Sequence, residues 1–240
     1  MYLSYYTVHA PFHSKQEKTK KYKEKADKAN LKINAAYAGM VESLDENVGR
    51  IFQWLEEKGL QENTIVVFTS DNGGFHKATH NRPLRGYKGE LYEGGIREPL
   101  IVRWPGVIRP GSVCDIPVHG TDFYPTLLDM TELPLHPEQH QDGVSLVPLL
   151  KGEKDFSRGT MIWHYPVSLP RHNSIPGSVI REGNWKYIYY YDDAREELYN
   201  LKNDIGETNN LIETMREKAE EMKKKLNQKL KEHGTNVSIL

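Results

Sequence analysis

The sequence predicts an α/β protein with a mixed, largely parallel sheet flanked by helices, followed by a small C-terminal antiparallel sheet with a helix. A long amphipathic segment precedes a continuous apolar run at residues 64–69, an order typical of strands that are covered on both faces. A second apolar run lies at residues 100–104 and is ended by Pro105. After residue 159 the pattern changes to short β-rich segments and one terminal amphipathic helix.

Composition narrows the class of protein. The 240 residues are 38% hydrophobic and 27% charged, which suits one sizeable domain, or one large and one small. A formal net charge of −1 argues against a broad nucleic-acid surface. No apolar run reaches the roughly 18 residues that a membrane span needs, and residues 1–12 do not have the pattern expected of a signal peptide. The single cysteine, Cys114, excludes an internal disulfide framework, and we expect it to be a small buried apolar residue.

The first elements are predicted from residue type and charge. Residues 2–8 are rich in β-formers and predict a strand already in progress, so we expect the chain to be the C-terminal part of a longer protein. Residues 14–32 carry eight lysines, which favour a solvated loop and helix surface over a polyanion site. A helix is predicted at residues 34–58, and Gly59 ends it.

A second helix and a boundary follow. Residues 121–130 predict a helix with Thr121 or Asp122 at its N-cap. An irregular stretch rich in proline and histidine then separates a larger α/β part, 1–150, from a small α+β part, 151–240.

The smaller part is predicted to contain an antiparallel sheet. Three short strands are predicted at residues 159–164, 178–181 and 185–191. Gly183 and Asn184 fit a hairpin turn between the last two strands. The final helix carries one apolar face that runs from Leu211 to Leu230.

Two polar residues follow the first apolar run. Asp71 and Asn72 come directly after it and precede two glycines. Ligands in open α/β sheets bind at the carboxyl ends of strands, and both side chains offer the oxygen ligands that hard cations such as Ca²⁺ and Mg²⁺ prefer. An Asx turn that merely ends the strand is the competing explanation.

A cationic, glycine-rich segment lies further along, at residues 81–99. It places four cationic side chains among four glycines: Arg82, Arg85, Lys88 and Arg97. Such a loop can approach an anionic group closely, with Lys88 as a compact point charge for a sulfate or phosphate oxygen. A surface loop with solvated cations is the competing explanation.

These segments resemble the sulfatase family, the arylsulfatase-type members of the alkaline phosphatase superfamily. The resemblance rests on NTIVVFTSDNGG at residues 63–74, LRGYKG at 84–89 and YEGGIR at 92–97. YAGMVESLDENVGR at residues 37–50 and LYNLKND at 198–204 are also similar to segments of that family. The resemblance covers nearly the whole chain and implies an alkaline-phosphatase-like fold.

The resemblance implies roles for four residues. Asp71 and Asn72 match two ligands of a divalent cation, usually Ca²⁺, and Lys88 matches a lysine that contacts the sulfate. His9 matches a histidine that faces the sulfate, although a lone histidine is more often structural. The family's nucleophile is a formylglycine made from a Cys-x-Pro-x-Arg motif, which Cys114 lacks. We therefore expect the formylglycine and the remaining acidic metal ligands in an N-terminal part outside this chain.

The implied function is metal-assisted hydrolysis of a sulfate ester by a sulfuric ester hydrolase. The substrate would be a sulfated small molecule or, since members of this family often act on sugars, a sulfated carbohydrate. The full-length parent would be periplasmic, secreted or lysosomal, and this chain alone is expected to be inactive. His164, Arg171 and His172 are candidates for substrate recognition, although packing or simple exposure explains them at least as well.

Two other functions stay open at this point. A phosphoesterase or phosphonate monoester hydrolase of the same superfamily also needs a metal and cations around a tetrahedral anion. A non-catalytic fragment could keep the anion pocket without the reaction. The sequence does not indicate an oligomeric state.

Overall fold

The computed structural model describes residues 1–168 and 174–235. Within these residues the chain forms six α-helices: α1 (Gln16–Ala29), α2 (Ala35–Glu57), α3 (Glu93–Ile96), α4 (Phe123–Met130), α5 (Val147–Leu150) and α6 (Arg216–Glu232). The same residues contain six strands: β1 (Val66–Thr69), β2 (Leu100–Arg103), β3 (Met161–Tyr165), β4 (Gly177–Glu182), β5 (Trp185–Tyr190) and β6 (Glu196–Asn200). No helix in the described ranges combines the length and apolarity that crossing a bilayer requires.

Helices α1 and α2 pack against each other at the start of the chain. The Asn34 side chain accepts a hydrogen bond from the Tyr37 N–H at 3.0 Å and so caps α2. The predicted helix at residues 34–58 is therefore confirmed, and the side chain of Asn34, directly before the helix, fixes its first turn.

Strands β1 and β2 form a two-stranded antiparallel sheet, with Val66 opposite Arg103 and Thr69 opposite Leu100. A parallel neighbour was predicted for the run at residues 64–69, but within the described residues this strand pairs with β2 alone. A continuous apolar run indicates burial. It does not indicate the direction of the neighbouring strand, which depends on distant residues.

Two further predictions for the larger part of the chain, residues 1–150, are wrong. Residues 2–8 form no strand, and Tyr2 is 92% exposed, because β-forming residues need a neighbouring strand and none of the described strands pairs with this segment. Cys114 is exposed, not buried, because it lies in the irregular connection between β2 and the 3₁₀ turn at Gly120–Asp122.

The helix predicted at residues 121–130 begins later than expected, after the 3₁₀ turn at Gly120–Asp122. Asp122 is buried, and its carboxylate accepts a hydrogen bond from the His119 N–H and pairs with Arg158 Nε, both at 2.8 Å. Asp122 therefore anchors the turn that precedes α4, and its side chain does not cap the helix.

The C-terminal part is a four-stranded antiparallel sheet in the order β3-β4-β5-β6, with α6 packed on one face. Gly183 and Asn184 form the turn between β4 and β5, as predicted, and Gly183 has the positive φ of 56° that glycine adopts without strain. Strand β6 was not predicted. The face under α6 buries a mixed aliphatic and aromatic core: Ile180, Tyr187, Leu198, Met222, Leu226 and Leu230.

The opposite face of this sheet covers residues from the larger part of the chain. Leu91 and Tyr92, which precede α3, share a core with Val179 and Ile188 of the sheet. One core thus contains segments from both sides of the predicted domain boundary at residue 150, and the two-domain division stays a prediction.

Candidate active site

Asp71 and Asn72 lie in the short loop after β1. Ser70 Oγ donates to the Asn72 carbonyl oxygen at 3.2 Å, and Asn72 Nδ2 donates to the Gly73 carbonyl oxygen, also at 3.2 Å. These bonds fix the loop from within and use the amide nitrogen of Asn72, not its oxygen. Asp71 is exposed. The loop therefore carries an exposed carboxylate next in sequence to an amide whose oxygen these bonds do not use.

A close approach of two backbones holds this loop against α3. The Gly73 N–H donates to the Gly95 carbonyl oxygen at 3.1 Å. A Cβ at Gly73 would collide with the Gly94 carbonyl oxygen, and a Cβ at Gly95 would collide with that of Glu90. Glycine is needed at both positions, because a larger residue at position 73 would push the loop away from α3 and one at position 95 would push the segment before α3 away from the helix.

Lys88 lies beside the same loop. Its N–H donates to the Gly74 carbonyl oxygen at 3.1 Å, and the residue is half-buried. The structure thus brings the backbone of Lys88 to the loop that carries Asp71 and Asn72. These are three of the four residues predicted for the site.

Asn81 ties this loop to the glycine-rich segment and was not predicted. Its Oδ1 accepts from the Gly74 N–H at 3.2 Å, and its Nδ2 donates to the carbonyl oxygens of Gly86 and Gly94, both at 2.9 Å. A single asparagine in an irregular loop gives no periodic signal. Its three partners are brought together only by folding.

The contacts described for His9 are local. Its Nδ1 lies 2.7 Å from the Ala10 carbonyl oxygen, and its ring centroid lies 5.4 Å from that of Tyr6. The segment reaches the site through Phe12, whose ring centroid lies 6.4 Å from that of Phe75. The structure therefore brings the segment of His9 next to the loop, while the role of the exposed imidazole stays a prediction.

Glu98 is a neighbour of Asp71 that was not predicted. Burial of the Glu98 carboxyl, together with the charge of Asp71, raises the pKa of Glu98 to about 7. Its Oε1 is buried and has no hydrogen-bond partner within the described residues. A buried carboxylate oxygen beside a second carboxylate is an arrangement that a bound cation would relieve.

The donor chemistry of Asp71, Asn72 and Glu98 fits part of the shell of a hard cation. All three side chains offer oxygen, which Ca²⁺ and Mg²⁺ prefer, and Ca²⁺ takes about 6–8 such ligands. Within residues 1–168 and 174–235, no three His, Cys, Asp or Glu side chains meet closely enough to hold an ion. These residues therefore provide only part of a coordination shell.

His164 lies on β3, in the C-terminal sheet. Its Nδ1 is 2.7 Å from Ser178 Oγ and 3.2 Å from Tyr191 Oη, and burial lowers the pKa of the imidazole. These contacts hold His164 within the sheet, so its part in substrate recognition stays a prediction. Arg171 and His172, predicted with it, lie outside the described residues.

Comparison with known families identifies the chain. A family model described as Sulfatase matches residues 1–133. The chain belongs to the sulfatase family. A second family model, described as N-sulphoglucosamine sulphohydrolase, C-terminal, matches residues 87–236, so the two models overlap at residues 87–133, which contain α3, β2 and α4.

Curated sulfatases are similar to this one over much of its length. A sulfatase of Formosa agariphila is 39% identical over 249 residues, which cover 96% of this chain and 45% of the relative. An N-acetylglucosamine-6-O-sulfatase of Bacteroides thetaiotaomicron is 35% identical over 73% of this chain and 31% of the relative. A steryl-sulfatase of Mus musculus is 36% identical over 57% of this chain and 23% of the relative. The chain thus spans less than half the length of each of these sulfatases.

Solved structures show the same fold. Ps i-CgsB in complex with k-i-k-neocarrahexaose matches with a TM-score of 0.77 and 26% identity, over 92% of this chain and 48% of that chain. BT4656 in complex with its substrate D-glucosamine-2-N,6-O-disulfate matches with a TM-score of 0.68 and 28% identity, over 89% and 45%. The predicted α/β fold class is therefore confirmed.

Proposed function

We propose that the protein to which this sulfatase chain belongs hydrolyses sulfate esters, and that its substrate is a sulfated carbohydrate. The hydrogen bond from the Lys88 N–H to the Gly74 carbonyl oxygen carries the proposal, since it fixes a cationic residue beside the loop of Asp71 and Asn72. The carbohydrate is supported by two similar proteins, one named an N-acetylglucosamine-6-O-sulfatase and one solved with D-glucosamine-2-N,6-O-disulfate.

The residues present suit the charges of this reaction. Sulfate ester hydrolysis builds negative charge on the sulfuryl oxygens and on the leaving oxygen, and the Lys88 ammonium stabilises charge that develops there. His9 gives a proton to the leaving alcohol or holds a sulfate oxygen. Asp71 and Asn72, with Glu98 beside them, would hold Ca²⁺ or another divalent cation, whose charge when bound polarises a sulfate oxygen.

The nucleophile is not among these residues. Cys114 is exposed and is not followed by the x-Pro-x-Arg pattern of the modified cysteine. We propose that the formylglycine and the remaining cation ligands come from an N-terminal part of the same enzyme.

The first test concerns Lys88 in the complete enzyme that contains residues 1–240. Lys88→Ala should lower kcat for N-acetylglucosamine-6-sulfate about 10²–10³-fold, because removing one electrostatic stabiliser typically has this cost. Lys77→Ala is the matched control, since Lys77 is an exposed lysine close to the same loop. An unchanged kcat in Lys88→Ala would remove Lys88 from the mechanism.

Parallel substrates test the reaction and its substrate class. Aryl phosphate turnover faster than aryl sulfate turnover would contradict the sulfatase proposal and favour a phosphoesterase. A preference for a steroid sulfate over the sugar sulfate would overturn the carbohydrate assignment. Residues 1–240 expressed alone should hydrolyse none of these esters, because the chain lacks a Cys-x-Pro-x-Arg motif and supplies too few oxygens for the cation.

A further inference from the structure

A buried cluster of charges joins the C-terminal sheet to the segment that supports the candidate site. Lys186 on β5 is fully buried, and its Nζ lies 3.0 Å from Glu93 Oε1 and 2.8 Å from Glu207 Oε1. Both carboxylates are at most 1% exposed. Burial raises the pKa of Glu207, and the Lys186 charge opposes that rise. Charges so far from water are tolerated only where each has partners, so the three side chains depend on one another.

The cluster is balanced within the protein. Arg181 on β4 adds a second positive charge, with one guanidinium nitrogen 3.3 Å from Glu93 Oε2. Lys186 and Arg181, the two largely buried cations, balance the carboxylates of Glu93 and Glu207. The exposed Arg97 also lies 3.7 Å from Glu93 Oε2. A cluster whose charges already pair internally holds segments together and does not present a binding site.

Glu207 also binds the first backbone N–H of α3 and the guanidinium of Arg85 in the segment before it. Its Oε2 accepts a hydrogen bond from the Glu93 N–H at 2.7 Å, and its carbonyl oxygen accepts one from Arg85 at 2.9 Å. Glu207 has a φ of 51°, a conformation that a non-glycine residue keeps only where its surroundings hold it. One residue after β6 therefore fixes both ends of the segment from Arg85 to Glu93.

The same segment supports the candidate site. The Gly95 carbonyl oxygen receives the N–H of Gly73 at 3.1 Å, close to Asp71 in the loop after β1. Lys88 lies within the segment that Glu207 fixes at both ends. Contacts therefore run without a gap from the C-terminal sheet, through α3, to the loop.

We propose that Lys186 and Glu207 are positioning residues of the candidate active site. They hold α3 in the place that fixes the loop after β1 and the backbone of Lys88. The inference rests on the proposed function, since it takes that loop as the site. It gives the C-terminal sheet a part in the site, although Lys186 and Glu207 are themselves fully buried.

Hydrogen exchange in the whole protein, followed by mass spectrometry, tests this coupling without substrate or activity. Glu207→Ala should speed exchange in a peptide covering residues 70–75 and in one covering 86–96. The expected factor is about tenfold to hundredfold, which corresponds to losing a hydrogen bond to a charged group. A peptide covering residues 177–190, in the sheet itself, should change less. Lys186→Met removes the ammonium that the two buried carboxylates share and should give the same pattern.

Two further variants separate positioning from general loosening. Glu207→Gln keeps an oxygen that accepts from the Glu93 N–H but loses the charge that pairs with Lys186, so it should restore part of the protection and leave a smaller acceleration. Met222→Ala removes a fully buried side chain from α6, on the other face of the sheet. It should speed exchange at residues 177–190 more than at residues 70–75.

Equal acceleration of all three peptides in Glu207→Ala would overturn the inference, because the loop would then follow the stability of the sheet. No acceleration would overturn it as well. If Glu207→Ala does not fold, the comparison of Glu207→Gln with Met222→Ala tests the inference instead. A smaller but selective acceleration at residues 70–75 supports the inference, and its absence ends it. Aryl phosphate turnover faster than aryl sulfate turnover would instead remove the proposed function and leave this measurement valid.

Discussion

The two sheets of this sulfatase chain differ in how completely they are covered. In the C-terminal sheet, Val179 and Ile180 point to opposite faces and both are fully buried. In the sheet of β1 and β2, Ile101 is 61% exposed and Val67 is 38% exposed. The strands carry similar residues, but α6 and the segment before α3 cover the first sheet on its two faces, whereas the described residues leave part of the second uncovered.

This difference in coverage indicates that the C-terminal sheet can stabilise the part of the chain that contains β1 and β2. Sheets bury their apolar faces against further layers, and the C-terminal sheet finds both layers within this chain. The candidate site lies at the end of β1, in the less covered sheet. The C-terminal sheet supports this site through the contacts of Glu93 with Lys186 and Glu207.

The largest expected effect on stability comes from the buried cluster. Lys186→Met should lower the free energy of unfolding by about 3–5 kcal/mol, because it leaves two buried carboxylates without their shared ammonium. Lys229→Met is the matched control. Its ion pair with Glu232 lies on the surface, so the change should stay below about 1 kcal/mol. Urea denaturation followed by circular dichroism measures both, and equal effects would show that the cluster does not stabilise the fold.

A matched pair of isoleucines tests the comparison of the sheets directly. Ile180→Ala should cost about 2–5 kcal/mol, since it opens a cavity in a closed core. Ile101→Ala should stay within about 0.5 kcal/mol, the usual range for exposed positions. Thermal and urea unfolding of the two variants give the values. A large loss at Ile101 would break the comparison, because it would mean that this face is covered in solution.

The smallest expected effect concerns pH and His119, whose ring lies 5.2 Å from that of Trp163 on β3. Burial, helped by the charge of Arg158, lowers the pKa of His119. The unfolded chain therefore binds this proton more readily, so the contribution of His119 is present above about pH 6.5 and is lost as the pH falls through its lower folded pKa.

His119→Asn should lessen the loss of stability between about pH 7 and pH 5, in a series of urea denaturations at fixed salt. His80→Asn should keep the parent's pH profile, since His80 is exposed. A profile that is identical in the parent and in His119→Asn would remove His119 as a source of acid sensitivity.

Local signals predicted most of the elements, with β6 missed and a strand wrongly expected at residues 2–8, but they did not predict how the strands pair. The helix at residues 34–58 follows from its apolar stripe, the Asn34 cap and the stop at Gly59, all of which lie within the segment. The hairpin at Gly183 is equally local. The antiparallel partner of β1 is a strand beyond the glycine-rich segment, and the failure of residues 2–8 to form a strand depends on neighbours that the sequence does not place.

The residues of the candidate site and its support also fall into those that local motifs predict and those that depend on distant partners. Asp71, Asn72 and Lys88 were predicted from motifs that stand out along the chain. Asn81 and Glu207 were not, because they act through partners 13 and 114 positions away. Contacts over such separations depend on the final packing, and no spacing or residue type marks them in advance.

The separation of Glu93 and Glu207 also has a consequence for synthesis. At about 5–20 residues per second, Glu93 leaves the ribosome roughly 6–23 s before Glu207, since they are 114 positions apart. A nascent chain that has reached α5 already contains His9, Asp71 and Lys88, yet it lacks the counter-charge of Glu93. Strand β5 and Glu207 therefore arrive after the residues of the candidate site, and until they emerge the glycine-rich segment is held by Asn81 but lacks its buried ion pairs.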